Sequence, residues 1–386
     1  MAKELSALLN LEGGHLLLGV EDDGQISGLS RSRGDAELWI MNIARQSIQP
    51  AIIPTWQPVD FDDGRIVGVI GLPADGPSKP YKAKRGSAWI TFVRVGSSSR
   101  EATREEEARL YQASRMVRFD IMPIADTSVT GLDFQRVQNY FRDVLKRETP
   151  PSTNEDAWEQ LLVNTDILAP LGEGVVATAS GLLLFGVTPN RRLPQAGVTA
   201  AAFPGTEKDY GTVDEEVIRG PLVSLLTKRG RVVEKGVIDR TVDFVARNMG
   251  TAAWLESGRR RRKRAFPLDA VREAVVNAVA HRDYSLSATD IEVSLYSDRV
   301  EIISPGRLPN GVTVEKMRDG LRAARNELLK EILRDYGYVE HLGMGVRNRI
   351  IQSMHTHNGT EPDLVEEETR FVVRLWKKRD GNVLQT

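Results

Sequence analysis

Glu273 and Asn277 are the residues whose types and spacing point most directly to chemistry. They stand in FPLDAVREAVVNAVAHRDY, residues 266–284. Four apart on a helix, they share one face. Val271, Ala274, Val275, Ala278 and Val279 recur beside them at helical spacing, so that face borders an apolar stripe. A carboxylate next to a carboxamide on a half-buried face can divide a task. One orients a water; the other ligates a magnesium ion through its oxygen. The plainer alternative pairs Glu273 with Arg272 or Arg282 and leaves Asn277 as a polar edge. Pro267 suits a first helical turn, and Asp269 adds negative charge near the N-terminus.

Just before this helix runs an unbroken basic stretch: Arg259, Arg260, Arg261, Arg262, Lys263 and Arg264. It reads either as a solvated linker or as a phosphate-binding strip. No aromatic residue is interleaved, so base stacking is not indicated there. The remaining composition mostly excludes. Net charge is −1, so attraction to nucleic acid needs a local patch. With no cysteine there is no disulfide, thiolate zinc site or thiol nucleophile. The five histidines, at 15, 281, 341, 355 and 357, do not group into metal-ligand spacing, except for His355 and His357 if they stand on a loop. No apolar run approaches a membrane span and the start does not read as a signal peptide, so a cytoplasmic location is expected.

The elements that must position these residues read as follows. At 386 residues, two or three domains are expected, of mixed α+β class. Residues 1–115 read as an α+β unit: a short helix, a buried strand HLLLGV running into Glu21-Asp22-Asp23, a helix at 35–48, and strands near 51–59, 65–72 and 88–96. Thr103 caps a following helix, with Glu105 and Glu106 in its first turn. Residues 116–151 read as a connector containing a helix capped by Asp133. A middle α/β unit, 152–258, has a helix at 155–164, strands at 178–186 and 196–203, and a largely helical 220–249. A last unit, 259–380, holds the Glu273 helix, strands at 291–296 and 300–311, and a helix at 346–354.

Taken together, Pro267, Arg272-Glu273-Ala274, Asn277-Ala278, His281-Arg282-Asp283-Tyr284, Ser304-Pro305-Gly306, Arg325-Asn326 and Leu342-Gly343-x-Gly345 form an ordered set. The set resembles the GHKL (Bergerat) ATP-binding α/β sandwich, closest to the version at the C-terminus of RecG-like, Schlafen-associated proteins. The resemblance implies ATP and magnesium as ligands. Asn277 would then ligate the metal and Glu273 would orient water onto the γ-phosphate. Gly306 would touch adenine, and Gly343 and Gly345 would admit the phosphates at a helix start. The usual D-x-G-x-G reads Ser304-Pro305-Gly306-Arg307-Leu308 here, so the acceptor for the adenine amino group is a hydroxyl rather than a carboxylate.

Residues 1–115 resemble the Schlafen (divergent AlbA-like) nucleic-acid-binding domain. The shared residues are Leu11-x-Gly13-Gly14, Leu17 to Asp22, Gly28-Leu29, Lys79-Pro80-Tyr81, and Val93 to Arg100 with Ala102-Thr103. The family's opening segment E-x-x-x-x-E-F-K, which supplies two carboxylates of a nuclease metal site, has no counterpart. Only Asp22 does, and one carboxylate cluster does not hold two-metal hydrolysis. Arg94 and Arg100 become further candidate nucleic-acid contacts.

The expectation is an ATP-binding protein, with hydrolysis or binding alone both open, coupled to a nucleic-acid-binding module and acting as a nucleic-acid-directed regulator or defence-type protein. The rivals are an ATP-gated metal-dependent endoribonuclease and a non-catalytic assembly protein with a vestigial pocket. DNA versus RNA, and monomer versus homo-oligomer, stay open.

Overall fold

The computed structural model describes residues 1–11, 13–73, 78–114, 118–256, 259–287, 289–308, 312–319, 324–339 and 344–377; for 105, 112–113 and 251–263 it describes the backbone alone. The chain divides into two compact units, Met1–Val117 and Arg118–Thr386.

In the first unit the helix Ala2–Asn10 buries Leu5 and Leu9 against Ile40, Ile70, Tyr81 and Phe92. One sheet orders the strands Gly14–Leu18, Ile66–Leu72 and Thr55–Asp60, with the middle strand antiparallel to both neighbours. A second joins Ile48–Gln49, Lys82–Arg85, Ala88–Val95 and Ser98–Glu101. Residues in and next to the quoted motifs hold the fold here. The Asn10 amide donates to the Tyr81 and Phe92 carbonyls, both at 2.8 Å, and accepts from the Tyr81 N–H at 2.7 Å. Lys79, buried, donates to the Leu11 carbonyl. Gly19 has φ +87°, and a Cβ there would lie 2.6 Å from the Gly28 carbonyl carbon. The strand HLLLGV is less buried than expected. It ends at Leu18, and Leu17 is 49% exposed, because this edge strand has only one covered face.

The second unit is built on a six-stranded sheet. Its order is Asp214–Ile218, Val198–Ala202, Ile291–Leu295, Arg299–Pro305, Arg370–Trp376, Asp363–Glu366. All neighbours are antiparallel except Val198–Ala202 with Ile291–Leu295, which are parallel. A parallel pair needs a crossover, and the chain between them supplies the helices Val237–Asn248 and Leu268–His281. Alternation sorts the faces. Val198, Ala200, Val293, Leu295, Val300 and Ile302 are buried toward the helices, while Glu301 on the other face is held by Arg299 and Arg374, both at 2.8 Å.

Four sequence expectations change. Residues 152–258 are no separate unit from 259–380: their strand Val198–Ala202 pairs with Ile291–Leu295, and one core runs through both. The stretch 116–151 is more than a connector, since Leu132, Val137, Tyr140 and Phe141 enter that core. Residues Ala179–Phe185 form a helix, not a strand. Thr178 Oγ1 accepts from the Gly181 N–H at 3.0 Å as its cap, and all seven residues are buried, so no amphipathic period shows in the sequence. In 220–249 only Val237–Asn248 is α-helical; Leu225–Leu226 and Val232–Glu234 form a small hairpin.

Candidate functional site

The Glu273 helix spans Leu268–His281 and packs Val271, Ala274, Val275 and Val279 into the core with no exposure. Pro267 is its N-cap rather than its first helical residue. Glu273 is 6% exposed, and its Oε1 accepts from Asn277 Nδ2 at 3.1 Å. That bond holds one of the two carboxylate oxygens. It also turns the amide nitrogen toward Glu273, so the carbonyl oxygen Oδ1 is the atom Asn277 offers to a cation. Arg272, the alternative partner, instead pairs with Asp239 at 2.7 Å.

Asp239 belongs to a buried knot beside this helix. Its carboxylate also accepts from Ser224 Oγ at 2.5 Å and from the Tyr338 hydroxyl at 2.6 Å. These hydrogen bonds and the Arg272 charge outweigh burial and hold its carboxyl below the usual aspartate range.

Glu273, Asn277, Ser304, Gly306 and Gly345, five residues singled out in the sequence, line one cavity of about 130 Å³. Gly343, the sixth, lies outside the described residues. The cavity's apolar lining includes Ile302, Val346, Ile350, Phe371 and Val373. Two glycines let backbone close on the site. At Gly345 a Cβ would overlap the Glu273 carboxylate. Gly306 has φ +105°, a left-handed conformation, and a Cβ there would stand 2.6 Å from Asp283 Cβ. Gly345 opens a π-helical run to Gln352, followed by the helix Ser353–Asn358, where the sequence predicts one helix over 346–354.

Ser304 Oγ donates to the Ala278 carbonyl at 2.9 Å, tying the strand to the Glu273 helix. A hydroxyl that donates one way keeps acceptor lone pairs for another partner. Other members of the ordered set fasten the helix end. Arg282 is fully buried and donates to the carbonyls of Asp283, at 2.5 Å, Leu286, at 2.7 Å, and Thr289. Its guanidinium lies 5.0 Å from the Tyr284 ring centre. Asn326 Nδ2 donates to Ala280 and Arg282 carbonyls at 3.0 and 2.9 Å, satisfying the helix C-terminus. Arg325 Nη2 donates to the Arg307 carbonyl at 2.7 Å, beside the glycine turn.

Three ionisable cavity residues carry no role in the sequence reading: His281, Arg307 and Lys330. Burial, and then the charges of Lys330 and Arg325, push the His281 pKa down to about 4, so its imidazole is neutral at pH 7. Lys330 sits four residues after Asn326 on the helix Glu327–Asp335, whose Leu328 N–H is capped by Asp120 at 2.8 Å. The only sequence signal for it was a cation close behind Arg325-Asn326.

The other candidates fall elsewhere. Asp22 is exposed on the turn after Val20, where the Gly24 N–H donates to the Glu21 carbonyl at 2.9 Å. No three His, Asp or Glu side chains among the described residues group to hold a metal ion. Arg100 is held bidentately by Glu106 at 2.8 and 2.7 Å. Arg94 approaches Glu4 at 3.5 Å. Arg259–Arg264 is a β-strand rather than a linker; the side chains of 259–263 lie outside the described residues, and Arg264 is exposed. Among the described residues no helix is long and apolar enough to cross a membrane.

Comparison with known proteins follows the same division. Residues 1–103 match the family model described as Schlafen, AlbA_2. Residues 288–375 match the model described as the C-terminal region of a putative ATP-dependent DNA helicase recG, of the HATPase type. That second match begins after the Glu273 helix, so Glu273 and Asn277 stand on geometry. No curated protein matches the chain. Among solved structures it is similar to the DIP2311 protein from Corynebacterium diphtheriae, at 23% identity, covering 98% of this chain and 69% of that one, with a TM-score of 0.48.

Proposed function

We propose that the cavity of the second unit binds ATP with magnesium, and that the bound nucleotide regulates the hold of the chain on nucleic acid. The observation that carries this reading is the convergence of Glu273, Asn277, Ser304, Gly306 and Gly345 on one cavity. Its apolar lining suits a flat base, and the Ser304 lone pairs suit an amino group. The donor set fits magnesium: Asn277 Oδ1 is a hard oxygen ligand, and a site with few protein ligands suits an ion that keeps waters and phosphate oxygens. Bound there, magnesium would neutralise phosphate charge. Gly345, lacking a Cβ, lets the backbone at the start of the π-helical run close on the Glu273 carboxylate at the cavity wall. Glu273, held by Asn277 at 3.1 Å, would orient a water and take its proton at a carboxylate oxygen.

The nucleic-acid half rests on the Schlafen, AlbA_2 match over residues 1–103. Nothing among the described residues favours the nuclease alternative, since Asp22 lies on an exposed turn without a ligand group. The reading separates binding from hydrolysis. Glu273→Ala should lower ATP turnover at least ~100-fold while ATP affinity changes little, because a base acts in the transition state. Loss of affinity in that variant would assign Glu273 a structural role instead.

A further inference from the structure

The basic stretch has a form that its sequence did not announce. Arg259–Arg264 pairs antiparallel with Thr251–Glu256, from Thr251↔Arg264 to Glu256↔Arg259, and among the described residues no third strand joins them. Each strand has six residues, about 20 Å of ribbon. Its base is anchored on both sides: Met249 before it and Phe266 after it lie in the core. The Arg264 carbonyl accepts from His357 Nε2 at 2.7 Å, and the Ala265 carbonyl from Asn358 Nδ2 at 3.2 Å.

The register sorts the positions. Cross-strand partners share a face, and faces alternate along each strand. Positions 260, 262 and 264 therefore lie on one face with 251, 253 and 255: three arginines with Thr251, Ala253 and Leu255, and no acid. Positions 259, 261 and 263 share the other face with Ala252, Trp254 and Glu256. Like charges at every second position repel, and an isolated two-stranded ribbon is marginal in water. Such a ribbon gains most from a polyanion that neutralises it.

We infer that the ribbon of Thr251–Glu256 and Arg259–Arg264 is an arm that enters the major groove of duplex DNA, with the face that carries positions 260, 262 and 264 toward the nucleic acid. This rests on the nucleic-acid half of the proposed function and names its partner and its surface. The choice of duplex follows from groove shape. The major groove of B-DNA, about 12 Å wide, admits a two-stranded ribbon; that of A-form RNA is too deep and narrow. Arginine suits the role twice, bidentate on phosphate along the groove walls and on guanine edges within it.

The test uses the full chain and fluorescence anisotropy with three probes of one sequence: a 20-base-pair DNA duplex, the corresponding RNA duplex, and the DNA single strand. The duplex DNA should bind at least ~10-fold tighter than the other two. Changing Arg260, Arg262 and Arg264 to Gln should weaken it ~100-fold and lower the slope of log K against log salt by about 3. The triple change of Arg259, Arg261 and Lys263 to Gln should cost at least ~10-fold less. A duplex whose cytosines carry glucosylated hydroxymethyl groups, which fill the major groove, should bind as weakly as the RNA. Equal affinity for RNA and DNA duplexes, equal loss in the two triple variants, or indifference to the filled groove overturns the arm. Wild-type protein that binds none of the probes overturns the nucleic-acid half of the proposed function. Thermal unfolding of the variants identifies any loss that is merely unfolding.

Discussion

The backbone of Gly345 lies against the carboxylate of Glu273, so that a Cβ on Gly345 would stand 2.5 Å from Glu273 Cδ. Gly345→Ala should therefore destabilise the protein by about 1–3 kcal/mol through overpacking at a buried carboxylate. Truncating the partner should relieve it: in Gly345→Ala/Glu273→Ala the cost should be smaller than the sum of the single changes. Chemical unfolding of the four proteins reads this, and strict additivity would mean that the two residues do not touch.

His281 gives the cavity a pH dependence of stability. Its ordinary pKa of 6.5 falls to about 4 in the fold through burial and the neighbouring Lys330 and Arg325 charges. The unfolded chain then binds the proton more tightly than the folded one. The contribution is fully present above pH 6.5 and is lost as pH falls toward 4, by about 3 kcal/mol. A His281→Gln variant should show a correspondingly shallower decline in urea unfolding between pH 7 and 4. Parallel curves for both proteins would place His281 in water.

Arg282, although inside the ordered set of motifs, is a structural residue. Replacing it with Met leaves the carbonyls of Asp283, Leu286 and Thr289 without this donor, at a cost on the order of 3 kcal/mol or more. Below the variant's melting temperature, the affinity of the folded protein for nucleotide should be unchanged. A specific loss of affinity without loss of stability would move Arg282 into the binding site.

These cases mark what was legible in the sequence. Glu273 and Asn277 were, because a four-residue spacing beside an apolar stripe survives translation into a helix face. Gly306 and Gly345 were, through the motif order. Lys330 was not, because a lysine on an amphipathic surface helix looks like solvent-facing charge until the fold brings it to a cavity. The helix Ala179–Phe185 was misread because a fully buried apolar run carries no period, and the cap at Thr178 was the overlooked signal. The arginine strand was invisible for a related reason: six cations in a row have no alternation. The single sheet across the second unit depends on pairing Val198–Ala202 with Ile291–Leu295, nearly a hundred residues on, which local pattern does not encode.

The central claim is that one cavity, with Asn277 as its metal ligand, binds ATP. Isothermal titration of ATP into the full chain, with and without magnesium, tests it most directly when wild type is compared with Asn277→Ala. The account predicts saturable, magnesium-dependent binding by wild type, and at least ~10-fold weaker, magnesium-independent binding by the variant. Wild-type protein that takes up no ATP, or a variant that binds it equally well with the same magnesium dependence, would contradict it.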